Sequence, residues 1–200
     1  MRRIVMFNRV SADGYFSGPG GELDWAVAEP TLDEAVAGSL GGDGTILFGR
    51  RTYDQFESFW PKVVDDSGTA PSPHGEPRRS RELHAMGVWI NAATKIVFSR
   101  TRKDVTWTGS RLIREFDPRE VEALKRGPGK DIMIFGSGSI VSLLTQHDLI
   151  DEYQLVIAPL LLGQGRQAIH DVTRRVSLTL VEATPFPRGN VRLRYTRAGS

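Results

Sequence analysis

Three short apolar runs constrain this chain most: Thr45-Ile46-Leu47-Phe48, Lys95-Ile96-Val97-Phe98 and Ile132-Met133-Ile134-Phe135. Each is nearly continuous rather than alternating, and each ends at glycine or small polar residues. Such a run reads as a strand buried on both faces, which is the habit of parallel sheets. Helical patterns follow these strands. Arg51 to Phe59 carries Tyr53, Phe56 and Phe59 or Trp60 on one side, and Ile140, Val141, Leu143 and Leu144 recur at helical spacing. Strands alternating with helices predict an α/β domain whose largely parallel sheet has helices on both faces.

The rest of the chain fits around that frame. Residues 3–10 read as a first strand, and residues 11–22, with Gly14, Gly18, Pro19, Gly20 and Gly21, as a functional loop. Thr31-Leu32-Asp33-Glu34 has capping-box spacing, which places Thr31 at an N-cap. Residues 61–80 hold four prolines among serine, glycine and aspartate, and predict an excursion loop. A short helix over Arg81 to Met86 and a further strand over Arg111 to Ile113 follow. Asp117-Pro118-Arg119-Glu120 is a helix start with Asp as cap and Pro at the first helical position. Tyr153 to Ala158 reads as a strand. Alternation at Val176, Leu178 and Leu180, then at Val191, Leu193 and Tyr195, predicts a C-terminal antiparallel hairpin. With no repeat and no clear linker, one domain spanning residues 1–200 is the simplest account.

Composition narrows the chemistry. There is no cysteine, which excludes disulfides, thiolate metal sites and a cysteine nucleophile. The four histidines are scattered without ligand spacing, so no metal is expected. The net charge is +2, with 24 acidic residues interspersed among 26 basic ones, which argues against a nucleic-acid partner. The apolar run at Ile4 to Phe7 is too short for a signal peptide, and nothing approaches a membrane span, so a soluble cytoplasmic protein is expected.

Open α/β sheets bind ligands at the carboxyl ends of their strands. Here those ends are Phe48-Gly49-Arg50-Arg51-Thr52, Phe98-Ser99-Arg100 and Phe135-Gly136-Ser137-Gly138-Ser139. Glycines let a backbone approach a phosphate, and a helix N-terminus offers it free N–H groups. Taken alone, the Gly-Ser-Gly-Ser loop serves equally as a plain strand-to-helix turn. Arg50 and Arg100 suit bidentate phosphate contacts or ordinary surface ion pairs. Asp13 and Asp24 sit in the first loop, where a carboxylate can orient a heterocycle or relay a proton, or simply form a turn. Asn8 and Trp25 are candidates to line a substrate pocket.

Taken in order, these segments resemble the dihydrofolate-reductase-like fold, and more closely its bacterial branch that includes the C-terminal reductase domain of riboflavin biosynthesis (RibD). The resemblance rests on Val10-Ser11-Ala12-Asp13-Gly14-Tyr15-Phe16, Gly21-Glu22-Leu23-Asp24-Trp25, Leu47 to Tyr53, Lys95 to Arg100 and Ile132 to Ile140. It implies a three-layer sandwich with a mixed, mostly parallel sheet of about eight strands and the C-terminal hairpin at one edge. It implies NADPH as cofactor: Gly49, Arg50 and Thr52 on its phosphates, Ser99 and Arg100 at the 2′-phosphate, Gly136, Ser137, Gly138, Ser139 and Ile140 around the pyrophosphate. Phe16 and its loop would lie against the nicotinamide. The implied activity is hydride transfer to a small heteroaromatic substrate, pterin-like or pyrimidine-like, by a homodimer. The alternative is a nucleotide- or flavin-binding protein without turnover. Two departures argue against dihydrofolate itself. No carboxylate follows Trp25 at the expected point, which leaves Asp33 or Glu34 to substitute, and Leu155 stands where the folate enzyme has threonine.

Overall fold

The computed structural model describes residues 1–26, 29–64 and 81–199. In chain order the elements are β1 (Ile4–Ser11), β2 (Tyr15–Ser17), α1 (Pro30–Ser39), β3 (Thr45–Gly49), α2 (Arg50–Val64), α3 (Arg81–Ala92), β4 (Thr94–Phe98) and β5 (Ser110–Ile113). Then come α4 (Pro118–Arg126), β6 (Ile132–Phe135), α5 (Gly138–Gln146), β7 (Glu152–Ala158), β8 (Arg166–Gln167), β9 (Leu178–Pro185) and β10 (Val191–Arg197).

Eight strands form one sheet in the order β5-β4-β3-β6-β1-β7-β10-β9, and β2 pairs with β8 apart from it. Every pairing from β5 to β7 is parallel; β10 pairs antiparallel with both β7 and β9. This is a dihydrofolate-reductase-like α/β fold. The parallel strands are covered on both faces, which is why their sequences are continuously apolar; all five residues of β3 are buried.

Strand alternation divides the core into two layers. On one face Ile4, Met6, Leu47, Ile132 and Ile134 pack with Ile140, Val141 and Leu144 of α5 and Val121 of α4. On the other, Ile46, Phe48, Val97 and Phe135 pack with Tyr53, Trp60 and Val63 of α2 and Ile90 of α3. Phe7 joins this second layer and also meets Leu32 and Val36 of α1. Side chains of β1 therefore alternate between an α5 side and an α1–α3 side.

Several elements differ from the sequence reading. Thr31 is not the N-cap of α1: the helix starts at Pro30 with Glu29 as cap residue. The Thr31 hydroxyl donates instead to Glu29 Oε1 at 2.9 Å. Glu29 Oε2 accepts from the Arg188 N–H at 3.0 Å, so the buried carboxylate ties α1 to the hairpin turn. The first four residues of the excursion expected over residues 61–80 are helical instead. Pro61 lies inside α2, which continues to Val64; residues 65–80 lie outside the described residues. Trp60 and Val63 hold that last turn on the core. Helix α3 runs on past Met86 to Ala92, because Ile90 reaches the same layer. Asp117 caps α4 as expected, accepting from the Arg119 N–H at 2.9 Å.

Candidate functional site

A cleft of about 940 Å³ opens at the carboxyl ends of β1, β3, β4 and β6. Two strand-to-helix turns form one of its walls. Strand β3 ends at Gly49 and α2 begins at the next residue; β6 ends at Phe135, and Gly136 and Ser137 lead into α5. Hydroxyls stitch the turns together. Ser137 Oγ accepts from the Gly49 N–H at 3.1 Å, and the Ser137 N–H donates to Thr52 Oγ1 at 3.0 Å. Both serine and threonine are buried. The two helix N-termini thus lie side by side, and their positive ends face one place.

The packing there is tight. A Cβ on Gly49 would stand 3.3 Å from Ser139 Oγ and from the Ile140 side chain. One on Gly138 would stand 3.2 Å from the Phe16 ring and from the Ala168 carbonyl. Ser137 itself has φ 52° and ψ 48°, a left-handed conformation that costs a non-glycine residue about 1–2 kcal/mol. Ile140 and Val141 donate their N–H groups back to the Ser137 carbonyl. The first-turn N–H groups of Gly138 and Ser139 have no acceptor among the described residues. Arg50 and Arg51 line the same wall, are exposed, and form no ion pair among the described residues.

The third strand end is arranged differently. The buried Ser99 hydroxyl accepts from the N–H groups of Thr101 and Arg102, at 3.3 and 3.0 Å, and so closes a turn. Arg100 is exposed beside it and does not line the cleft, whereas Thr101 does. Arg102 is committed to α2: it pairs with Asp54 and Glu57 and lies 4.6 Å from the Tyr53 ring.

Neither acid singled out in the first loop lines the cleft. Asp13 accepts from the Ser11 hydroxyl at 2.5 Å and from the N–H groups of Leu162 and Gly163 at 3.1 and 2.7 Å. The Ser11 bond above all, helped by the Gly163 and Leu162 N–H groups, holds its carboxyl below the usual range. It fastens the first loop to the segment after β7, next to the β2–β8 pairing. Asp24 is exposed in a turn.

The far end of the cleft is mostly apolar, walled by Phe7, Trp25, Val36, Phe56, Trp60 and Met86. Its acid is Asp33, whose Oδ1 accepts from Arg9 at 2.5 Å. Burial raises the Asp33 pKa against the opposing pull of Arg9. The sequence offered Asp33 as a substitute carboxylate. Arg9 was not foreseen, because the pairing depends on α1 folding over β1. Arg166, Gln167 and His170 also line the cleft and were missed, since β8 is two residues long with no sequence signal. Asn8, Trp25 and Phe16 all line it.

The chain matches the model of the RibD C-terminal domain over residues 2–191. It belongs to that family. It is 32% identical to the uncharacterized protein YyaP of Bacillus subtilis (strain 168) over 194 residues, covering 97% of this chain and 94% of YyaP. A protein assigned to riboflavin biosynthesis from Shewanella sp. PV-4 superposes with a TM-score of 0.69 at 22% identity, over 98% of this chain and 99% of that one. Dihydrofolate reductase from Enterococcus faecalis, solved with NADP(H) and the ligand RAB-propyl, superposes at 0.62 with 13% identity, over 98% and 96% of the two chains. At those identities the likeness of the two structures is one of fold, and the RibD C-terminal family is a family of reductase-like domains. Among the described residues, no helix is long and apolar enough to cross a membrane.

Proposed function

We propose that this protein is an NADPH-dependent reductase that transfers a hydride to a small, flat heteroaromatic substrate of the pterin or pyrimidine kind. The observation that carries the reading is the pair of helix N-termini fastened together by Ser137 and Thr52, with Gly49 against Ser139 and Ile140 and Gly136 against Thr52 where the two turns meet. Such an arrangement suits a pyrophosphate: it presents to one anion two dipole ends, and N–H and guanidinium groups that are unpartnered among the described residues. Exposed Arg100, just past β4 and off the cleft wall, is our choice of partner for a 2′-phosphate, a contact that would favour NADPH over NADH.

Bound there, NADPH supplies the hydride from its nicotinamide ring. The protein's own residues do the rest. Phe56, Trp60 and Trp25 offer flat apolar surfaces against which a ring stacks and from which water is excluded. Asp33 keeps one carboxylate oxygen, Oδ2, available for a ring N–H, while Arg9 holds the other. Asp13 acts at a distance, by holding the first loop to the segment carrying β8.

Binding of a nucleotide or flavin without turnover is the second reading. It is favoured by the neutralisation of Asp33 by Arg9 and by the position of Asp13 and Asp24 off the cleft. We further propose a cytoplasmic homodimer that uses Leu178, Leu180 and Val181, which are exposed on the edge strand β9. Thermal melting with millimolar NADPH tests the cofactor: no rise in Tm refutes it. Loss of 340 nm absorbance across a panel of pterins, pyrimidines and flavins tests turnover. Binding with no loss for any of them selects the second reading.

A further inference from the structure

A second pocket, of about 440 Å³, opens at the other end of the sheet and shares no residue with the cleft. It lies at the amino ends of β1 and β6, bordered by the C-terminal ends of α1 and α4 and by α3. Its floor is apolar. Leu40, Trp89 and Met133 pack against the core layer under α2 and α3, yet each is only half-buried, and all three line the pocket. The indole of Trp89 is held in place. It meets the Phe135 ring edge to face at 6.4 Å, and a Cβ on Gly44 would stand 2.2 Å from it.

The rim is cationic, with Arg2, Arg126 and Lys130 on it. Arg2 is the telling one. It is half-buried, and its partners are two neutral oxygens: Nε donates to the Lys130 carbonyl at 2.5 Å and Nη2 to Thr45 Oγ1 at 2.6 Å. Among the described residues it forms no ion pair. Burial pulls its pKa below the ordinary value, against the opposing pull of Asp131. A guanidinium taken partly out of water without a carboxylate is a cost that a bound anion offsets. The one carboxylate on the wall, Asp131, is spent on Arg3, accepting from its N–H, Nε and Nη2 at 3.1, 3.0 and 2.5 Å. Lys130 forms no ion pair among the described residues, and Arg126 meets Glu122 of its own helix at 3.6 Å, where both are exposed. The two helix C-termini oppose an anion with about half a charge each. Some of their last carbonyls are occupied, since Ala37 accepts from the Leu40 N–H, and Ala123 and Leu124 from the Gly127 N–H. Three full positive charges outweigh the remainder.

We infer that this pocket is a second ligand site, and that it takes a small aromatic carboxylate. A bare inorganic anion would leave Leu40, Trp89 and Met133 uncovered. A flat apolar body covers them, and the volume suits roughly two fused rings. The charged end then meets Arg2 at the rim, where a guanidinium fork matches a carboxylate. None of this depends on the NADPH reading, because the pocket and the cleft lie at opposite ends of the strands.

Calorimetric titration with 2-naphthoate and with its neutral isostere 2-naphthamide tests the site. The unaltered protein is expected to bind one 2-naphthoate, and to bind 2-naphthamide at least tenfold more weakly, the scale of a hydrogen bond to a charged group. Arg2→Gln should weaken 2-naphthoate about tenfold and change 2-naphthamide less than about twofold. Should Arg2→Gln fail to fold, the exposed pair Arg126→Gln with Lys130→Gln serves instead, with a loss of about two- to fivefold confined to the acid. The cleft is apolar too, so Arg50→Gln with Arg51→Gln is the control, and is expected to leave 2-naphthoate binding unchanged. Equal affinity for acid and amide overturns the inference, as does no binding of 2-naphthoate at millimolar concentration. Weakening by the Arg50 and Arg51 changes and not by those at Arg2, Arg126 and Lys130 puts the probe in the cleft and overturns it as well.

Discussion

Replacing Thr52 by valine is the sharpest test of how the two turns are fastened. Valine keeps the shape and removes the oxygen that accepts from the Ser137 N–H at 3.0 Å. Both residues are buried, at 9% and 4% exposure, so no water replaces the lost acceptor without repacking. A buried N–H left unsatisfied costs about 1–3 kcal/mol. For a domain of this size each kcal/mol moves Tm by roughly 2–4 °C, so Tm should fall by about 2–12 °C. Ser137 also loses one of the two bonds that tie its turn to Gly49 and Thr52, so NADPH affinity should drop as well. Thr52→Ser keeps the oxygen and should retain NADPH affinity close to that of the unaltered protein. Urea unfolding and calorimetric titration of both variants decide the matter. A Thr52→Val protein within about 0.5 kcal/mol of the original, or one that binds NADPH no worse than Thr52→Ser, would refute the argument.

Two other expectations concern parts far from that turn. Lys95 is fully buried, donates to the Asn91 and Thr108 carbonyls and lies 4.3 Å from the Trp107 ring; burial lowers its pKa to about 8. Between pH 8 and the ordinary value of 10.5 the unfolded chain therefore holds more protons at this site, so stability rises with pH, by at most about 3 kcal/mol. Urea midpoints at pH 7 and pH 10 should show a gain that Lys95→Met lacks; identical pH slopes would end the claim. For the edge strand, Leu180→Asp should turn a dimeric protein monomeric in sedimentation, because it places a charge in the middle of the exposed apolar stretch of β9. A dimer that survives this change does not use that surface.

What the sequence made legible follows a physical divide. Strands β3, β4 and β6 and the Gly136–Ser139 turn were readable because burial on both faces and helix starts are local patterns. The cap of α1 was not, since the partners of Glu29 lie 159 residues away at Arg188 and 161 away at Asn190. Asp13 was read as a site acid because its partners are backbone N–H groups of Leu162 and Gly163, which carry no residue signature. The Ser99 hydroxyl likewise accepts from backbone N–H groups, those of the turn it starts. Asp33 could be named from the sequence, but its pairing with Arg9 depends on a helix crossing the end of a strand.

The left-handed backbone at Ser137 limits which residues could ever replace it. Glycine would relieve the conformation and abandon the acceptor for the Gly49 N–H. Alanine would keep the strain and lose the acceptor too. Asparagine tolerates such a backbone, but its larger amide would have to fit a site only 4% exposed. Serine combines a small volume with an oxygen, and accepts the conformational cost at the point where an anionic ligand would return it. Position 137 should therefore vary less across relatives than the glycines on either side would suggest, and a relative with glycine there should bind phosphates through a looser turn.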